Sequence, residues 1–369
     1  MGSNPIVSTR TRAGPENREG APFKLMPALR VTSNSTAISV VIPVFNHERW
    51  VSAAVVSALS QPEVTEVILV EDGSSDGSLA ECHRLEGEDR RVRVMQHPGG
   101  ANLGASASRN LGVREARGDF VSFLDADDLM LASRFAKAVE VFRQFPSTDG
   151  VYEAVGYRFE SREALLLHMT DGRELLTTVR RSIRPRDFFW EQSPVGDAGY
   201  CNTDGWTFRR EFLMSGDLFN ERLNLFEDTE FFIRMSIIGD LRPGEVGRPV
   251  ATRRLHASNR ISAARTDSEQ VEAWQSMWVS ACTWAIQRGH AREGRHLALL
   301  AFRSRLSAKA EASSVVQHHL TSICAFRRGF GHLGGRLAFR VCVHHYAEVA
   351  LLPLRGAVHR LTSRRLGTG

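Results

Sequence analysis

Short apolar segments alternate with helical patterns four times between residues 38 and 144. The apolar segments cover 38–43, 67–70, 92–95 and 120–124, and apolar residues recur at helical spacing after each of them. Short β-branched runs predict buried strands, and their alternation with helices predicts parallel strands joined by right-handed crossovers. We therefore expect an α/β fold with a doubly wound, Rossmann-like, mostly parallel sheet.

Polar clusters follow three of these predicted strands. Phe45-Asn46 follows the first, Glu71-Asp72 the second, and Asp125-Ala126-Asp127-Asp128 the fourth. Turn-forming residues also collect at strand ends for structural reasons. Parallel sheets, however, bind ligands at the carboxyl ends of their strands. Three clusters at one edge therefore predict a ligand site.

The sharpest of these clusters has three carboxylates in four residues, 125–128. Like charges this close repel one another unless a cation lies among them. Mn²⁺ or Mg²⁺ prefers oxygen ligands from one or two carboxylates together with substrate phosphates. The alternative is that Asp127 or Asp128 caps the following helix. Capping needs a single Asp, so the pattern favours a metal site.

The Glu71-Asp72 pair can accept hydrogen bonds from a nucleotide base or ribose, or it can belong to an Asx turn with Asp76 as the cap of the next helix. Asn102 and Arg109 flank small residues that would let a ligand approach. Arg109 can meet a carboxylate or a phosphate. The spacing is not GxGxxG, so a dinucleotide cofactor is not favoured.

Two later features have open interpretations. Glu227-Asp228 precedes a helical pattern, and such acids are either a general base or groups that stabilise the helix dipole. His256 lies in a polar stretch, where a histidine is usually a surface residue. It becomes a candidate third metal ligand only if the fold places it beside Asp127.

Taken together, the motifs resemble the inverting family 2 glycosyltransferases with the GT-A fold. The resemblance covers about residues 38–262, and its motifs in chain order are VIPVFN (41–46), EDGSSD (71–76), NLGA (102–105) with RNLG (109–112), FLDADD (123–128), FED (226–228) and His256. It implies a 38–262 GT-A domain with a nucleotide-sugar-binding half, 38–150, and an acceptor-binding half, 151–262.

The resemblance implies transfer of a sugar from a nucleotide-sugar, usually a UDP-sugar, to an acceptor hydroxyl of a carbohydrate or lipid-linked acceptor. For the donor, it implies contacts with the nucleotide base from Pro43, Phe45 and Asp72, and further donor-binding candidates are Asn46, Glu71, Asn102 and Arg109. For the metal, it implies Asp127 as a ligand of Mn²⁺ or Mg²⁺, with His256 as a further ligand and Asp125 at the ribose or the metal. For catalysis, it implies Asp228 as the general base, with Glu227 near the acceptor or as a helix cap. No nucleic-acid partner is expected.

This sequence departs from the family in two respects. Glu71 stands where the family often has Asp, which leaves open which acid meets the nucleotide. Processive members usually have a QxxRW motif and membrane helices, and neither is recognisable here, so single addition is favoured. The alternative to an enzyme is a non-catalytic nucleotide-sugar-binding module of the same fold.

The ends of the chain differ from this predicted domain. Residues 1–37 show no apolar period and are predicted to be a disordered leader without a secretory signal. Residues 263–369 are predicted to be a basic helical extension, since the stretch from 262 onward has 15 Lys and Arg against 6 Asp and Glu. Such a tail either contacts the inner face of a membrane or packs on the catalytic domain or on a second copy in a homodimer. The expected location is cytoplasmic.

Overall fold

The structure, a computed structural model, describes residues 36–170, 174–256 and 266–307. Most of the predicted leader and the whole of the tail beyond 307 lie outside the described residues. The described strands are β1 (Ile38–Val44), β2 (Val64–Glu71), β3 (Val92–Gln96), β4 (Phe120–Phe123), β5 (Leu129–Met130), β6 (Gly150–Tyr152), β7 (Val155–Phe159), β8 (Leu176–Thr177), β9 (Trp206–Arg209), β10 (Leu241–Pro243) and β11 (Ala251–Leu255).

The described α-helices surround these strands. They are α1 (Val51–Leu59), α2 (Ser78–Glu88), α3 (Gly104–Glu115), α4 (Ala136–Gln144), α5 (Arg162–Thr170), α6 (Phe188–Glu191), α7 (Arg210–Ser215), α8 (Glu227–Ile238), α9 (Asp267–Gln287) and α10 (Ala291–Ser307).

Within the described ranges, seven strands form the main sheet in the order β10-β6-β9-β4-β1-β2-β3. β9 runs antiparallel to its neighbours β4 and β6, and the other pairs are parallel. The predicted mostly parallel α/β fold is therefore confirmed. The sheet takes strands from both sides of residue 150, and the division into a donor half and an acceptor half stays a prediction.

A second sheet has the order β5-β11-β7-β8. β5 follows the acidic cluster directly, and α4 begins only at Ala136, with Phe135 as its N-cap. The alternative that Asp127 or Asp128 caps the next helix is therefore wrong. Instead, β11 pairs with β5 and brings the end of the 251–256 stretch to the acidic cluster.

The central strands are buried because helices cover both faces of the sheet, which explains the continuous apolar runs of β1 and β2. One face packs on α1, α2 and α4, and the other packs on α3, α7 and α8. The approach of α3 depends on Gly112, where a Cβ atom would lie 2.2 Å from Cγ1 of Val41. This close contact fixes the helix that bears Arg109.

A third apolar cluster joins the C-terminal helices to this fold. Buried residues of α9 and α10 pack with Phe189 of α6 and Ile233 of α8. For the part of the extension up to 307, this packing agrees with the alternative in which it covers the catalytic domain. In the described ranges, no helix has the length and apolar character needed to cross a bilayer.

Candidate active site

The loops after β1 and β2 are tied together at the carboxyl end of the sheet. The amide of Asn46 donates to Ser74 Oγ (3.0 Å), and Asn46 Oδ1 accepts from the amide of Ser75 (2.8 Å). Asn46 has a φ of 56°, a left-handed conformation that Asn tolerates better than most residues. Phe45 beside it is 44% exposed, and Pro43 is half-buried. An apolar ring is thus open to solvent where the sequence predicts a nucleotide base.

The two acids after β2 are buried and have different partners. Glu71 accepts hydrogen bonds from the amide of Ser74 and from Gln96 Nε2 (3.0 Å). Burial acts to raise the pKa of Glu71, but these hydrogen bonds outweigh it and lower the pKa. Asp72 instead accepts from the amides of Leu103 (2.7 Å) and Gly104 (2.9 Å) at the start of α3. Glu71 thus stabilises the turn after β2, and Asp72 binds the amides at the start of α3.

Arg109 connects two of the predicted clusters. Its guanidinium is buried, donates to Asp125 Oδ1 (2.7 Å) and lies 3.6 Å from Glu227 Oε1. Asp125 follows β4, and Glu227 begins α8, so one cation joins two carboxylates that are about a hundred positions apart in the sequence. The nearby acids outweigh the effect of burial and raise the pKa of Arg109, which therefore stays charged. Arg109 thus pairs with carboxylates of the protein itself, and its contact with a donor stays a prediction.

Asp127 lies beside His256. Its Oδ2 is 3.0 Å from His256 Nε2, and both side chains are about one-tenth exposed. The His256 ring stacks on Trp50 with centroids 5.7 Å apart, and the guanidinium of Arg254 lies 4.3 Å from the Trp50 ring centroid. Arg254 also donates from Nε to the carbonyl of Asp127 (2.9 Å). His256 thus lies beside Asp127, the position that makes it a candidate metal ligand.

The remaining carboxylate of the cluster, Asp128, is buried against Asp204. One oxygen each of Asp125, Asp128 and Asp204 lie within 4.8 Å of one another. Burial, followed by the charge of Asp125, raises the pKa of Asp204 to about 7, and burial with the charge of Asp204 raises that of Asp128. Asp204 Oδ1 accepts from the amide of Asp125 (3.1 Å), and in the part of the chain that the structure describes no amide or cation donates to Oδ2. Asp204 and Asp128 are instead joined by a side-chain hydrogen bond, and the raised pKa of both carboxyls means that this crowded pair binds a proton readily.

Asp228 lies in the first turn of α8 and is half-buried. Its Oδ1 accepts from the amide of Thr229 (2.6 Å), and within the described ranges its Oδ2 has one long contact, 3.4 Å, from Thr203 Oγ1. Thr203 directly precedes Asp204, so the 203–205 turn links the base candidate to the acidic cluster. Glu227 is 2% exposed and faces Arg109.

The fold thus brings Arg109, Asp125, Asp127, Glu227, Asp228 and His256 to one sheet edge, whereas Glu71 is held in its turn and Asn102 is exposed. Sequence reasoning missed Asp204, Thr203, Trp50 and Arg254. Asp204 lies in the turn that directly precedes β9, and no motif in the sequence marks it. Trp50 is the N-cap of α1, at the point where the helix begins.

The carboxylate-rich edge fits a divalent metal. Oxygen donors suit hard cations, and one oxygen each of Asp125, Asp128 and Asp204 lie within 4.8 Å of one another. The donor set therefore suggests a divalent metal.

Comparison with known proteins agrees with this geometry. Residues 39–214 match the protein family Glycosyl transferase family 2. The chain contains a family 2 glycosyltransferase domain. A glycosyltransferase of Haemophilus influenzae is 34% identical over 112 residues, which are 30% of this chain and 44% of that protein. The hyaluronan synthase of Pasteurella multocida is 27% identical over 259 residues, covering 66% of this chain and 23% of the synthase. The match thus spans less than half of either relative.

Solved structures support the GT-A fold of this domain. Residues 1–349 of S. aureus TarS in complex with UDP-GlcNAc superpose with a TM-score of 0.55 at 16% identity, covering 79% of this chain and 81% of that one. At this identity the likeness concerns the fold alone.

Proposed function

We propose that this glycosyltransferase moves a sugar with inversion from a UDP-sugar to an acceptor hydroxyl and uses Mn²⁺ or Mg²⁺. One observation carries the proposal: buried Arg109 pairs with Asp125, which lies two positions before the Asp127–His256 pair in the sequence, and with Glu227, which directly precedes Asp228. Groups suited to a charged donor and a group suited to proton removal therefore share one site.

The donor's base is proposed to bind at the loops after β1 and β2. Phe45 offers an exposed ring for stacking, with Pro43 and Asn46 beside it and Asn102 on the facing loop. A carboxylate has about four acceptor sites. The amides of residues 103 and 104 leave Asp72 able to accept from a base imide as well. The UDP-GlcNAc bound to the S. aureus neighbour supports a UDP-sugar as the first donor to test.

The metal ligands are proposed to be Asp125 and Asp127, with His256 as a third donor. A metal that meets the substrate's diphosphate needs ligands at the surface of the site, and the Asp125 side chain is 36% exposed. Asp128 and Asp204 are at most 3% exposed, and backbone amides already bind one oxygen of each. We assign these two the role of a buried negative group beneath the ligands. A bound divalent cation would offset the charge that develops on the leaving diphosphate.

Asp228 is the proposed base. Its Oδ2 takes the proton from the acceptor hydroxyl while the hydroxyl oxygen attacks the anomeric carbon. The bond from that carbon to the diphosphate oxygen breaks on the opposite side, and UDP leaves with the electron pair, so the configuration inverts. Proton removal by a positioned group contributes about 10²–10⁴-fold. The hydrogen bond from the amide of Thr229 holds Oδ1 and leaves Oδ2 to accept the proton.

The acceptor is proposed to be a carbohydrate or lipid-linked hydroxyl that receives a single sugar, as in glycan, glycolipid or surface-polysaccharide synthesis. A cytoplasmic location remains part of the proposal. So does a role for the basic residues beyond 307 in holding the enzyme at a membrane face or in a homodimer.

A donor screen tests the function. UDP- and GDP-sugars are incubated with Mn²⁺ and mixed glycan or glycolipid acceptors, and nucleotide release is measured with and without acceptor. Acceptor-dependent release that Asp228→Asn abolishes supports the enzyme. Saturable donor binding with no release, in wild type and variant alike, would instead identify a non-catalytic nucleotide-sugar-binding module.

A further inference from the structure

Phe226, the residue before the Glu227-Asp228 pair, has an unusual backbone conformation. Its φ is +58° and its ψ is 22°, the left-handed region, and it is the N-cap of α8. A bulky side chain is disfavoured in this region and persists there only when its surroundings hold it. Because the conformation of Phe226 sets the direction in which α8 starts, it also sets where the two acids point.

An aromatic ring from the C-terminal helices holds Phe226. Trp274 of α9 stacks on it with ring centroids 4.2 Å apart and an interplanar angle of 24°. Offset stacks of this kind are favourable beyond the area that they bury. Trp274 lies about 60 positions after the segment that matches the glycosyltransferase family, so the family motifs do not account for it.

The same helix also binds the beginning of the segment that leads to the acids. Trp284 Nε1 and Arg288 Nη2 both donate to Asp217 Oδ2 (2.6 Å each), and Asn220 Nδ2 donates to Ser280 Oγ (2.8 Å). Residues 217–226 are therefore attached to α9 near both ends.

Polar contacts then extend from α9 into α8. Ser280 Oγ donates to Glu230 Oε1 (2.7 Å), and Glu230 pairs with buried Arg234 (2.8 Å). Arg234 in turn donates to the carbonyl of Asp217 (2.7 Å). The start of α8 is thus held from α9 on its apolar and its polar side.

We propose that Trp274 is a positioning residue for catalysis. By stacking on Phe226, it keeps the left-handed turn in which Glu227 faces Arg109 and Asp228 is directed toward the acceptor. Trp274 itself touches neither substrate nor metal. The proposal rests on the proposed function, in which Asp228 is the base, and it makes α9 a part of the catalytic unit.

Trp274→Ala is the direct test. We expect kcat to fall about tenfold to a hundredfold, because displacement of a positioned group by about 1 Å has an effect of that order. The KM for the donor and the Kd for UDP should stay within about twofold of the wild-type values, because the loops proposed to bind the donor lie elsewhere. A change confined to the chemical step lowers kcat and leaves donor binding as it was. Trp274→Phe keeps a stacking ring and should restore most of kcat.

A structural control separates positioning from loss of packing. Leu297 of α10 is fully buried in the same apolar cluster, and it is not among the residues that stack on Phe226. Leu297→Ala should lower Tm at least as much as Trp274→Ala and leave kcat near that of the wild type. An equal loss of kcat in both variants would overturn the proposal.

Glycine at position 226 tests the physical cause. Glycine adopts positive φ without strain. If Trp274 acts by holding the left-handed turn, Trp274→Ala should cost much less kcat in a Phe226→Gly background than in the wild type. An equal cost in both backgrounds would contradict the proposal. Should Trp274→Ala not fold, Trp274→Leu takes its place in both comparisons.

The possible outcomes distinguish the positioning role of Trp274 from the proposed function on which it rests. An active wild type with an inactive Asp228→Asn variant and a fully active Trp274→Ala variant overturns only the role of Trp274. A wild type without turnover on any donor overturns the proposed function, and the positioning role with it.

Discussion

Two buried carboxylates at opposite edges of the main sheet have opposite electrostatic environments. Glu66, at the amino end of β2, accepts hydrogen bonds from Ser39 Oγ (2.6 Å), the amide of Arg117 and Arg93 Nη1 (3.0 Å). Burial acts to raise the pKa of Glu66, but these bonds outweigh it and lower the pKa. Asp204, at the other edge, has one amide donor, and its pKa rises to about 7.

The supply of donors explains the difference. A buried carboxylate with several donors stabilises the fold in its charged form, whereas one with too few has a raised pKa and binds a proton, which a metal cation can replace. The amino-end edge is thus built for stability. The carboxyl-end edge, which also contains the strained Phe226, is suited to binding and chemistry.

Removal of a proposed metal ligand should have the largest effect. Asp127→Asn keeps the size of the side chain but removes its charge, so we expect sugar transfer to fall by about 10³-fold or more, or roughly 4 kcal/mol of transition-state stabilisation. Nucleotide release measured across a Mn²⁺ titration, with circular dichroism to verify the fold, gives the result.

Asp89→Asn is the matched control at the opposite edge. Asp89 precedes β3 and pairs with Arg91 (2.8 Å). This variant should keep its activity. Full activity of Asp127→Asn, or of the wild type in excess EDTA, would remove the metal from the proposed mechanism.

The next effect separates the two neighbouring acids. Asp228→Asn should lower kcat by at least about 10²-fold, because it removes the proposed base, while UDP binding is retained. Glu227→Gln should mainly lower stability, since Glu227 is buried against Arg109. Single-turnover transfer and thermal unfolding are measured on both variants. An inactive Glu227→Gln beside an active Asp228→Asn would exchange the two roles.

The contiguous motifs made much of this site predictable. Asp125–Asp128 and Glu227-Asp228 are visible as clusters at predicted strand and helix ends, and the order of the motifs pointed to the edge where they meet. Asp204 was not predictable, because its place depends on β9 entering the sheet antiparallel between β4 and β6, with pairings across about 85–90 positions to β4 and about 55 to β6. The left-handed turn at Phe226 depends likewise on Trp274, which is distant in sequence.

Comparing the cations of the two edges sharpens the contrast. Arg109→Met should lower the free energy of unfolding by about 3–5 kcal/mol, because Glu227 then stays buried without its counter-charge. Arg93→Met should cost about 1–2 kcal/mol, because Glu66 keeps its bonds from Ser39 and Arg117 and loses one charged partner. Urea unfolding at pH 7 measures both. A larger loss in Arg93→Met would contradict the contrast.

The last expected effect depends on pH and concerns Glu66 itself. Its folded-state pKa lies below the ordinary value of about 4.3, so its stabilisation is complete above that value and is lost as the pH falls through the folded-state pKa. Glu66→Gln should therefore be less stable than the wild type by about 1–3 kcal/mol at pH 7, and the difference should shrink below about pH 4. Urea unfolding at pH 7, 5 and 3.5 gives the two curves. A difference that stays constant across this range would mean that Glu66 contributes through its shape and neutral hydrogen bonds. The ionised carboxylate would then contribute nothing to the stability of the amino-end edge.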